Sequence, residues 1–469
     1  MPDLRCNALP PTYWPVAQLT AAYARRELSP LEVAEQALAR AAASNRSLNA
    51  FLLTLEAPAR EQARAAELAY RGGTAAPLAG VPVSIKDTFD IAGQVSTRGS
   101  LVYKSHVAER DSGCVRRLRA AGAVFIGKTN AAEFGQSATT ENRLGGACRN
   151  PWDVGRTPGG SSGGASASVA AGVVNLALGA DGGGSIRIPA AFTGLAGFKP
   201  TFGLCQDEGG FRAMSDFVCP GPLAWRMADA RAMLSVLADR PFARGPDARC
   251  LRIAWSPRPE DRPVDVQVLD AVHAAVRRIS ELGHQVEEVR LDISGWEEPF
   301  GPLVLDDERR ERGHLLAESA SQLTDYELKT LEAAAALDTA TVARAREQLA
   351  AYRVRIESFF GRYDLIVTPT TSVPAFPIEQ RPTEIAGRKV DWLWGAFPFT
   401  AAFNVAGTPA VSLPCGYADG LPVGIQVIAA RNRDDLLLDF AQDLEEALAF
   451  DAAPVKLKWA DLAPETNLA

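Results

Sequence analysis

Residues 157–203 read TPGGSSGGASASVAAGVVNLALGADGGGSIRIPAAFTGLAGFKPTFG and contain two glycine loops that carry serine. The first loop, 159–164, reads GGSSGG, and the second, 181–185, reads DGGGS. A small-residue helix pattern and an apolar strand pattern separate them. Glycine recurs where a backbone must bend sharply or let a ligand approach its N–H groups, because it has no Cβ. Either loop alone would be an ordinary turn of an α/β protein. Together they predict a functional site around which the rest of the chain is organised.

Composition and charge exclude several function classes. The 469 residues are 47% hydrophobic and 22% charged, which is ordinary for a globular protein. The net charge of −7 gives no basic surface for nucleic acid. There is no run of 18 apolar residues and no basic segment followed by an apolar one at the start. We therefore expect neither a membrane span nor a signal peptide.

The cysteines and histidines narrow the chemistry further. Seven cysteines are scattered along the chain without a CxxC pair, which indicates reduced thiols in a cytoplasmic protein and no disulfide framework or zinc site. None of the four histidines, His106, His273, His284 and His314, lies in the glycine-rich segment. A histidine-based mechanism would have to recruit one from a distant part of the chain.

The order of helix and strand patterns predicts one large α/β domain, because helices alternate with apolar strands and no long polar linker divides the chain. Ser29, Pro30 and Glu32 form a strong helix start signal. The polar connection 128–156 is long enough to suggest a function of its own. Further patterns predict strands at 78–90, 123–126, 173–178, 251–255, 286–291 and 365–368, a hairpin at 411–414 and 423–428, and helices at 111–121, 165–171, 266–282, 325–360 and 434–449.

The first glycine loop has two alternative interpretations. A phosphate-binding loop would end in Gly-Lys-Ser or Gly-Lys-Thr, whereas this loop ends in Gly-Gly-Ala, so that interpretation is set aside. Residues 159–163 also spell the G-x-S-x-G of a nucleophile elbow. However, an elbow serine directly follows a strand, and residues 153–158 contain proline, glycine and arginine instead.

The second loop better suits a nucleophile, because it follows an apolar strand and places Ser185 after three glycine amides. Such a row of N–H groups can stabilise a developing oxyanion while the serine attacks the adjacent carbon. Serine needs a base that takes its proton. Lys86, at the end of the 78–90 strand pattern, is the candidate, since burial would lower its pKa. A lysine there could equally be a strand end that reaches water. A serine of the first loop could relay the proton.

These residues resemble the amidase signature family of amide hydrolases, through GGSSGG, DGGGSIRIPA and GLAGFKPT, and later through YDLIVTPTT at 363–371 and AGTPAVSLPCGYADGLPVGIQVI at 406–428. The resemblance implies that Ser185 is the nucleophile, that Ser161 relays the proton after a cis peptide bond, and that Lys86 is the base. It also implies an oxyanion hole from the amides of Gly182, Gly183 and Gly184. Ser162, Asp181 and Arg187 match positions that support the loops.

The family's fold is a mixed, open, twisted β-sheet covered by α-helices, and the resemblance implies the same fold here. Within a single domain 1–469, we expect a signature core at 71–240. A variable substrate-side region at 241–360 and a C-terminal part of the same sheet at 361–469 would complete it. The stretch 290–360 shows no family motif, and we expect substrate choice to depend on it.

The substrate side departs from relatives that use glutamine to supply ammonia for tRNA amidation. Those relatives bind glutamine with an acidic residue at the position of Phe397. Their arginine that pairs with the glutamine carboxylate would fall at 329–331, where this chain has no arginine. We therefore expect an apolar substrate, and aryl or alkyl amides, short peptide amides and carbamates (urethanes) all stay open. The predicted pocket residues are Gln136, Phe397 and Phe399, and Trp392, Trp394 and Phe403 could add to them or be ordinary core aromatics.

Two alternatives stay open at this stage. The chain could be a glutamine amidotransferase subunit within a multi-subunit complex, or a relative without catalysis, although the intact Lys86, Ser161 and Ser185 argue against the latter. We expect no metal or cofactor, no nucleic acid or membrane partner, a small-molecule substrate, and a monomer or homodimer.

Overall fold

The structure is a computed structural model that describes residues 9–245 and 250–462. Its strands are β1 Phe51–Thr54, β2 Pro82–Lys86, β3 Val124–Thr129, β4 Leu176–Asp181, β5 Ala196–Lys199, β6 Cys219–Ala224, β7 Arg252–Trp255, β8 Gln285–Glu288, β9 Leu365–Pro369, β10 Glu384–Ile385, β11 Arg388–Lys389, β12 Ala410–Ala418 and β13 Leu421–Ala429.

Helices precede, separate and follow these strands. They are α1 Val16–Ala24, α2 Pro30–Leu48, α3 Glu56–Gly72, α4 Gly113–Ala120, α5 Gly163–Ala170, α6 Arg187–Thr193, α7 Met227–Leu237, α8 Val266–Glu281, α9 Glu297–Arg312, α10 Leu315–Glu318, α11 Asp325–Ala335, α12 Thr339–Phe359, α13 Ala401–Val405, α14 Asp434–Leu448 and α15 Ala453–Ala460.

One mixed sheet of 11 strands organises the single domain, in the order β1-β3-β2-β4-β6-β5-β12-β13-β9-β7-β8. The strands β3, β2 and β4 are parallel, and so are β9, β7 and β8, as the alternation of helix and strand predicts. The strands between these groups are antiparallel, and β6 lies between β4 and β5. The predicted mixed sheet covered by helices is therefore confirmed.

Local signals in the sequence account for several element boundaries. Ser29 caps α2 with its hydroxyl, which accepts the N–H groups of Leu31 and Glu32, and the Glu32 carboxylate accepts the Ser29 N–H. The helix predicted over 325–360 is instead two helices. The second helix, α12, begins after Asp338, whose side chain accepts a hydrogen bond from the Thr341 N–H at 2.7 Å. An aspartate in this position favours the start of a new helix, so the helical pattern is divided there.

The central segment is the most enclosed part of the fold. Every residue from 157 to 201 is buried, including the whole of α5, β4 and α6. The strand pattern predicted at 173–178 begins three residues later, at Leu176, and continues to Asp181. The second glycine loop therefore follows directly from a buried strand at the carboxyl end of β4. Within the described ranges, no helix is both long and apolar enough to cross a membrane.

Candidate active site

Lys86 is the last residue of β2 and is 1% exposed, so it does not reach water as a strand-end lysine would. Its Nζ donates to Ser161 Oγ at 2.7 Å and to the carbonyl oxygen of Ala180 at 3.4 Å. Burial lowers the pKa of Lys86 from 10.5 to about 7, and the nearby charge of Asp181 opposes this only in part. At neutral pH a substantial fraction of this amine is uncharged and able to accept a proton.

Ser161 belongs to a loop whose backbone leaves little room for side chains. The peptide bond between Gly160 and Ser161 is cis. A Cβ on Gly160 would lie 2.5 Å from the carbonyl carbon of Thr139, so only glycine fits there. Residues 157–160 form no strand, which removes the structural context that a nucleophile elbow requires.

Ser162 begins α5 and supports the same region from behind. It is fully buried, and its hydroxyl donates to the carbonyl oxygen of Ala180 at 3.2 Å. The N–H of Ala180 points back to that hydroxyl at 3.4 Å. Ser162 therefore ties the first glycine loop to the end of β4, where Lys86 also donates.

Asp181 and Arg187 hold the second loop through a buried ion pair. Arg187 donates from Nε to Asp181 Oδ2 and from Nη2 to Asp181 Oδ1, both at 2.9 Å, and both side chains are 0% exposed. Burial alone would raise the pKa of Asp181, but Arg187 holds it well below its usual range. The remaining guanidinium donors reach the carbonyl oxygen of Thr400 and the side chains of Gln426 and Asn404. Since every donor of this buried cation has an acceptor, the loop position is strongly determined.

The predicted oxyanion hole needs one correction, at Gly184. Its N–H donates to Asp181 Oδ1 at 2.8 Å, so that amide is already engaged. Its φ of +129° and the overlap of any added Cβ with Thr400 explain why glycine is required there. Over 9–245 and 250–462, no acceptor is recorded for the amides of Gly182, Gly183 and Ser185. Gly182 and Ser185 also line the cavity that contains Lys86 and Ser161.

One cavity brings the predicted catalytic residues together. Lys86, Ser161, Ser185 and Gly182 line it, and its volume is about 60 Å³. Its other walls are mainly apolar and comprise Thr88, Phe89, Phe134, Gly135, Ala180, Asp207, Phe211, Ala213, Met214, Val218 and Pro220. Of these described lining residues, Lys86 is the only cation. The arrangement suits a nucleophilic serine that acts on a neutral substrate.

The predicted pocket residues lie elsewhere. Gln136 is 7% exposed and donates from Nε2 to Glu308, and it does not line the cavity. Phe397 packs in the core with its ring 6.0 Å from that of Phe192, and Phe399 is also fully buried in the core. Both follow the ordinary rule that a large aromatic side chain is buried.

The other aromatic candidates also fall outside the cavity lining. Phe403 is a core residue, and Trp392 is 49% exposed beneath the guanidinium of Arg381. Trp394 lies behind the second glycine loop, where a Cβ on Gly183 would approach its ring to 3.0 Å.

Most of the apolar lining comes from two connections without regular strands, and Ala180 of β4, Pro220 of β6 and Phe89 complete it. Phe134 and Gly135 belong to the long connection 128–156, whose length indicated a function. Phe211, Ala213, Met214 and Val218 belong to residues 203–218, between β5 and β6. No local periodicity marks the second group, and only the three-dimensional structure brings it to Ser185.

A sequence profile of the Amidase family matches residues 32–438. The chain belongs to the amidase signature family. It is 32% identical to an acylamidase of Rhodococcus erythropolis over 96% of this chain and 97% of that protein. It is 34% identical to a glutamyl-tRNA(Gln) amidotransferase subunit of Symbiobacterium thermophilum, over 91% and 95% respectively. The solved structure of a bacterial aryl acylamidase of this family matches with a TM-score of 0.87 at 26% identity, over 96% of this chain and 99% of that one.

Membership of the amidase signature family supports cleavage of an amide carbon–nitrogen bond as the general activity. The relatives differ in what their names state, since one is an acylamidase and another belongs to an amidotransferase. Sequence similarity to these relatives therefore leaves the substrate of this chain open. The residues of its own cavity must decide between an acylamidase and an amidotransferase substrate.

Proposed function

We propose that this chain is a serine hydrolase that cleaves the carbon–nitrogen bond of a neutral aryl or alkyl amide, or of a carbamate, through an acyl-enzyme on Ser185. The observation that carries the proposal is the 2.7 Å contact from Lys86 Nζ to Ser161 Oγ, in the cavity that Ser185 also lines. A buried amine with a pKa of about 7 can act as a base near neutral pH.

In the proposed acylation step, neutral Lys86 takes the proton of Ser161 while Ser161 takes that of Ser185. The Ser185 oxygen attacks the carbonyl carbon. The resulting oxyanion accepts hydrogen bonds from the backbone N–H groups of Gly182, Gly183 and Ser185. The tetrahedral intermediate collapses, the carbon–nitrogen bond breaks, and the relay returns the proton to the departing amine. Water then attacks the acyl-enzyme by the same relay and releases the acid. With a carbamate, the acid released is a carbonate derivative.

The cavity supports a neutral substrate over glutamine. Free glutamine carries a carboxylate and an ammonium, and leaving either unpaired in a desolvated site costs several kcal/mol. Among the described residues that line the cavity, the one carboxylate is Asp207, which accepts the Cys114 N–H, and the one cation is the proposed base, Lys86, so no other cation is present for the carboxylate of glutamine. Phe397, at the position where the relatives that use glutamine carry an acid, has its ring buried beside Phe192 and Phe376. Lys329, in the stretch without arginine, is exposed.

The role of a glutamine amidotransferase component is the second candidate, because a relative named as such is 34% identical. We propose instead that the chain acts alone, as a cytoplasmic monomer or homodimer that needs no metal, nucleotide or partner protein. The six described cysteines, all free thiols, support a reducing location, and Cys6 lies outside the described residues. A relative without catalysis is disfavoured by the Lys86–Ser161 contact.

A direct comparison of substrates tests the proposal. The purified chain should hydrolyse 4-nitroacetanilide or a phenyl carbamate with a kcat/KM at least about 100-fold above that for free glutamine. A preference for glutamine would contradict the neutral-substrate proposal and favour the amidotransferase. The absence of turnover on all three, together with no covalent adduct on Ser185, would favour the relative without catalysis.

A further inference from the structure

A covering segment, residues 203–218, lines both the catalytic cavity and a larger cleft. It has no helix or strand and connects β5 to β6. The catalytic cavity has a volume of about 60 Å³ and the outer cleft about 560 Å³. Both are lined by five of the same residues, namely Asp207, Phe211, Ala213, Val218 and Pro220. Four of these five belong to the covering segment, which therefore contributes to the lining of both spaces, and Pro220 belongs to β6.

Two side chains of the covering segment restrict the space beside Ser185. Met214 lies against the second glycine loop, where any Cβ on Gly182 would overlap its sulfur atom. Phe211 packs against Phe134, which also lines the cavity, with the two ring centres 6.0 Å apart. The position of these two side chains decides how much room remains next to the nucleophile.

Two arginine side chains contact the ring of Phe211. The guanidinium of Arg98 lies 4.7 Å from the ring centre, and that of Arg312 lies 4.8 Å from it. Each distance is within the range of a favourable cation–π contact. Arg312 is 2% exposed, and its forked pair with Glu308, one turn earlier on α9, fixes its orientation. Its remaining terminal nitrogen donates to the carbonyl oxygen of Arg212, next to Phe211, at 2.6 Å.

Helices α9 and α12 hold the rest of the covering segment. Asp307 accepts both the N–H and the hydroxyl of Ser215 at 3.1 Å. From α12, Arg346 pairs with the Asp216 carboxylate and Arg353 donates to its carbonyl oxygen. No described residue from 290–360 lines the catalytic cavity. The contacts of this region with the cavity walls therefore run through the covering segment and through Phe134, over which the Arg312 guanidinium lies at 5.1 Å.

We propose that Phe211 and Met214 limit the substrate to a short acyl group, and that Arg312 is a positioning residue that sets this limit from α9. This rests on the proposed function, since the acyl group is the part that stays bonded to Ser185 after the amine leaves. A cavity of about 60 Å³ holds roughly four waters. That space suits an acetyl or propanoyl group, and longer chains would displace Phe211 or Met214.

A series of 4-nitroanilides with acetyl, butanoyl, hexanoyl and octanoyl groups tests this with a constant leaving group. For the wild type, kcat/KM should fall steeply with chain length, because one methylene in an apolar site discriminates by about tenfold or more. Phe211→Ala should raise the hexanoyl-to-acetyl ratio of kcat/KM at least about tenfold, and Met214→Ala should do the same. Phe211→Leu should give a smaller shift.

Arg312→Lys keeps the charge but loses the forked geometry that positions the covering segment. It should raise KM for the acetyl substrate and raise the hexanoyl-to-acetyl ratio, with kcat for the acetyl substrate changed by less than about threefold. Arg278→Lys, at an exposed position of α8 where the arginine pairs with Glu281, is the control and should leave the ratio unchanged. Ser215→Ala, which removes one contact with Asp307 and leaves α9 intact, should change the ratio in the same direction if Arg312→Lys does not fold.

The outcomes separate this inference from the proposed function. If the wild type hydrolyses none of the anilides, the proposed function fails. If it hydrolyses them and the Phe211 and Met214 variants keep the wild-type length profile, the inference fails alone. A decrease that is equal for all chain lengths in Arg312→Lys and Ser215→Ala would show that these residues only stabilise the fold, and would overturn the positioning role.

Discussion

The signature segment 157–201 and the helical region 290–360 build the same site by different means. In the signature segment, the loops, helices and strand that build the site follow one another in sequence, and every residue is buried. In the second, the influential contacts join residues about 100 positions or more apart, such as Arg312 with Arg212 and Glu308 with Gln136. The catalytic machinery is therefore visible as a local pattern. The walls that surround the substrate are visible only once the chain is folded.

The largest expected effect is the loss of activity on removal of the proposed nucleophile. Ser185→Ala should lower kcat by about 10⁶-fold, because the variant cannot form an acyl-enzyme, while its thermal unfolding stays close to that of the wild type. Mass spectrometry after rapid quenching should detect the acyl adduct in the wild type and not in the variant. Ser166→Ala, at a buried position of α5, is the matched control and should stay active. Retention of wild-type turnover in Ser185→Ala would remove Ser185 from the mechanism.

The next effect is expected at Lys86. Lys86→Arg should lower kcat/KM by about 10²–10⁴-fold, because a guanidinium remains charged and cannot accept a proton. In the wild type, kcat/KM should rise with pH and level off above about 7, since only the neutral amine acts as a base.

A stability measurement checks the same pKa independently. Between pH 7 and 10.5 the unfolded chain binds a proton at Lys86 that the folded chain releases, so this group favours folding increasingly as the pH rises. Lys86→Met should therefore raise the free energy of unfolding above that of the wild type, by most below pH 7 and by progressively less toward pH 10.5. A pH-independent difference, or an active Lys86→Arg, would indicate a lysine that is not a neutral base.

The sequence predicts much of the fold because local chemistry determines it. The capping residues of α2, the buried strand before the second loop and the β12–β13 hairpin all follow from nearest neighbours along the chain. Lys86, Ser161 and Ser185 were assigned by a specific motif, and the structure places them around one cavity. The engagement of the Gly184 amide by Asp181 was missed, because it depends on which oxygen of a neighbouring carboxylate faces inward.

The ion pair behind the second loop should affect stability more than a surface pair does. Asp181→Asn leaves Arg187 as an uncompensated buried cation and should destabilise the fold by about 3–5 kcal/mol. Because folding lowers the pKa of Asp181, the stability that it contributes near neutral pH should be lost as the pH falls below about 4. Glu27→Gln breaks an ion pair of similar length, 2.7 Å, on the exposed surface, and should leave the melting temperature unchanged. Equal melting temperatures for the two variants would contradict the role of Asp181 in holding the loop.

The smallest effect separates a buried aromatic from one that lines the cavity. Phe397 was predicted to contact substrate, but its ring lies in a core cluster beside Phe192 and Phe376. Phe397→Leu keeps most of the buried volume and should cost less than about 1.5 kcal/mol of unfolding free energy. Because the ring does not line the cavity, the dependence of kcat/KM on acyl length should be the same as in the wild type.

Phe211→Leu is the matched change in the covering segment. There the dependence of kcat/KM on acyl length should shift while the loss of stability stays small, since Phe211 is only partly buried. If Phe397→Leu changed the length profile as much as Phe211→Leu, the substrate would reach the Phe192–Phe376–Phe397 cluster, and the distinction between the core and the cavity wall would be wrong.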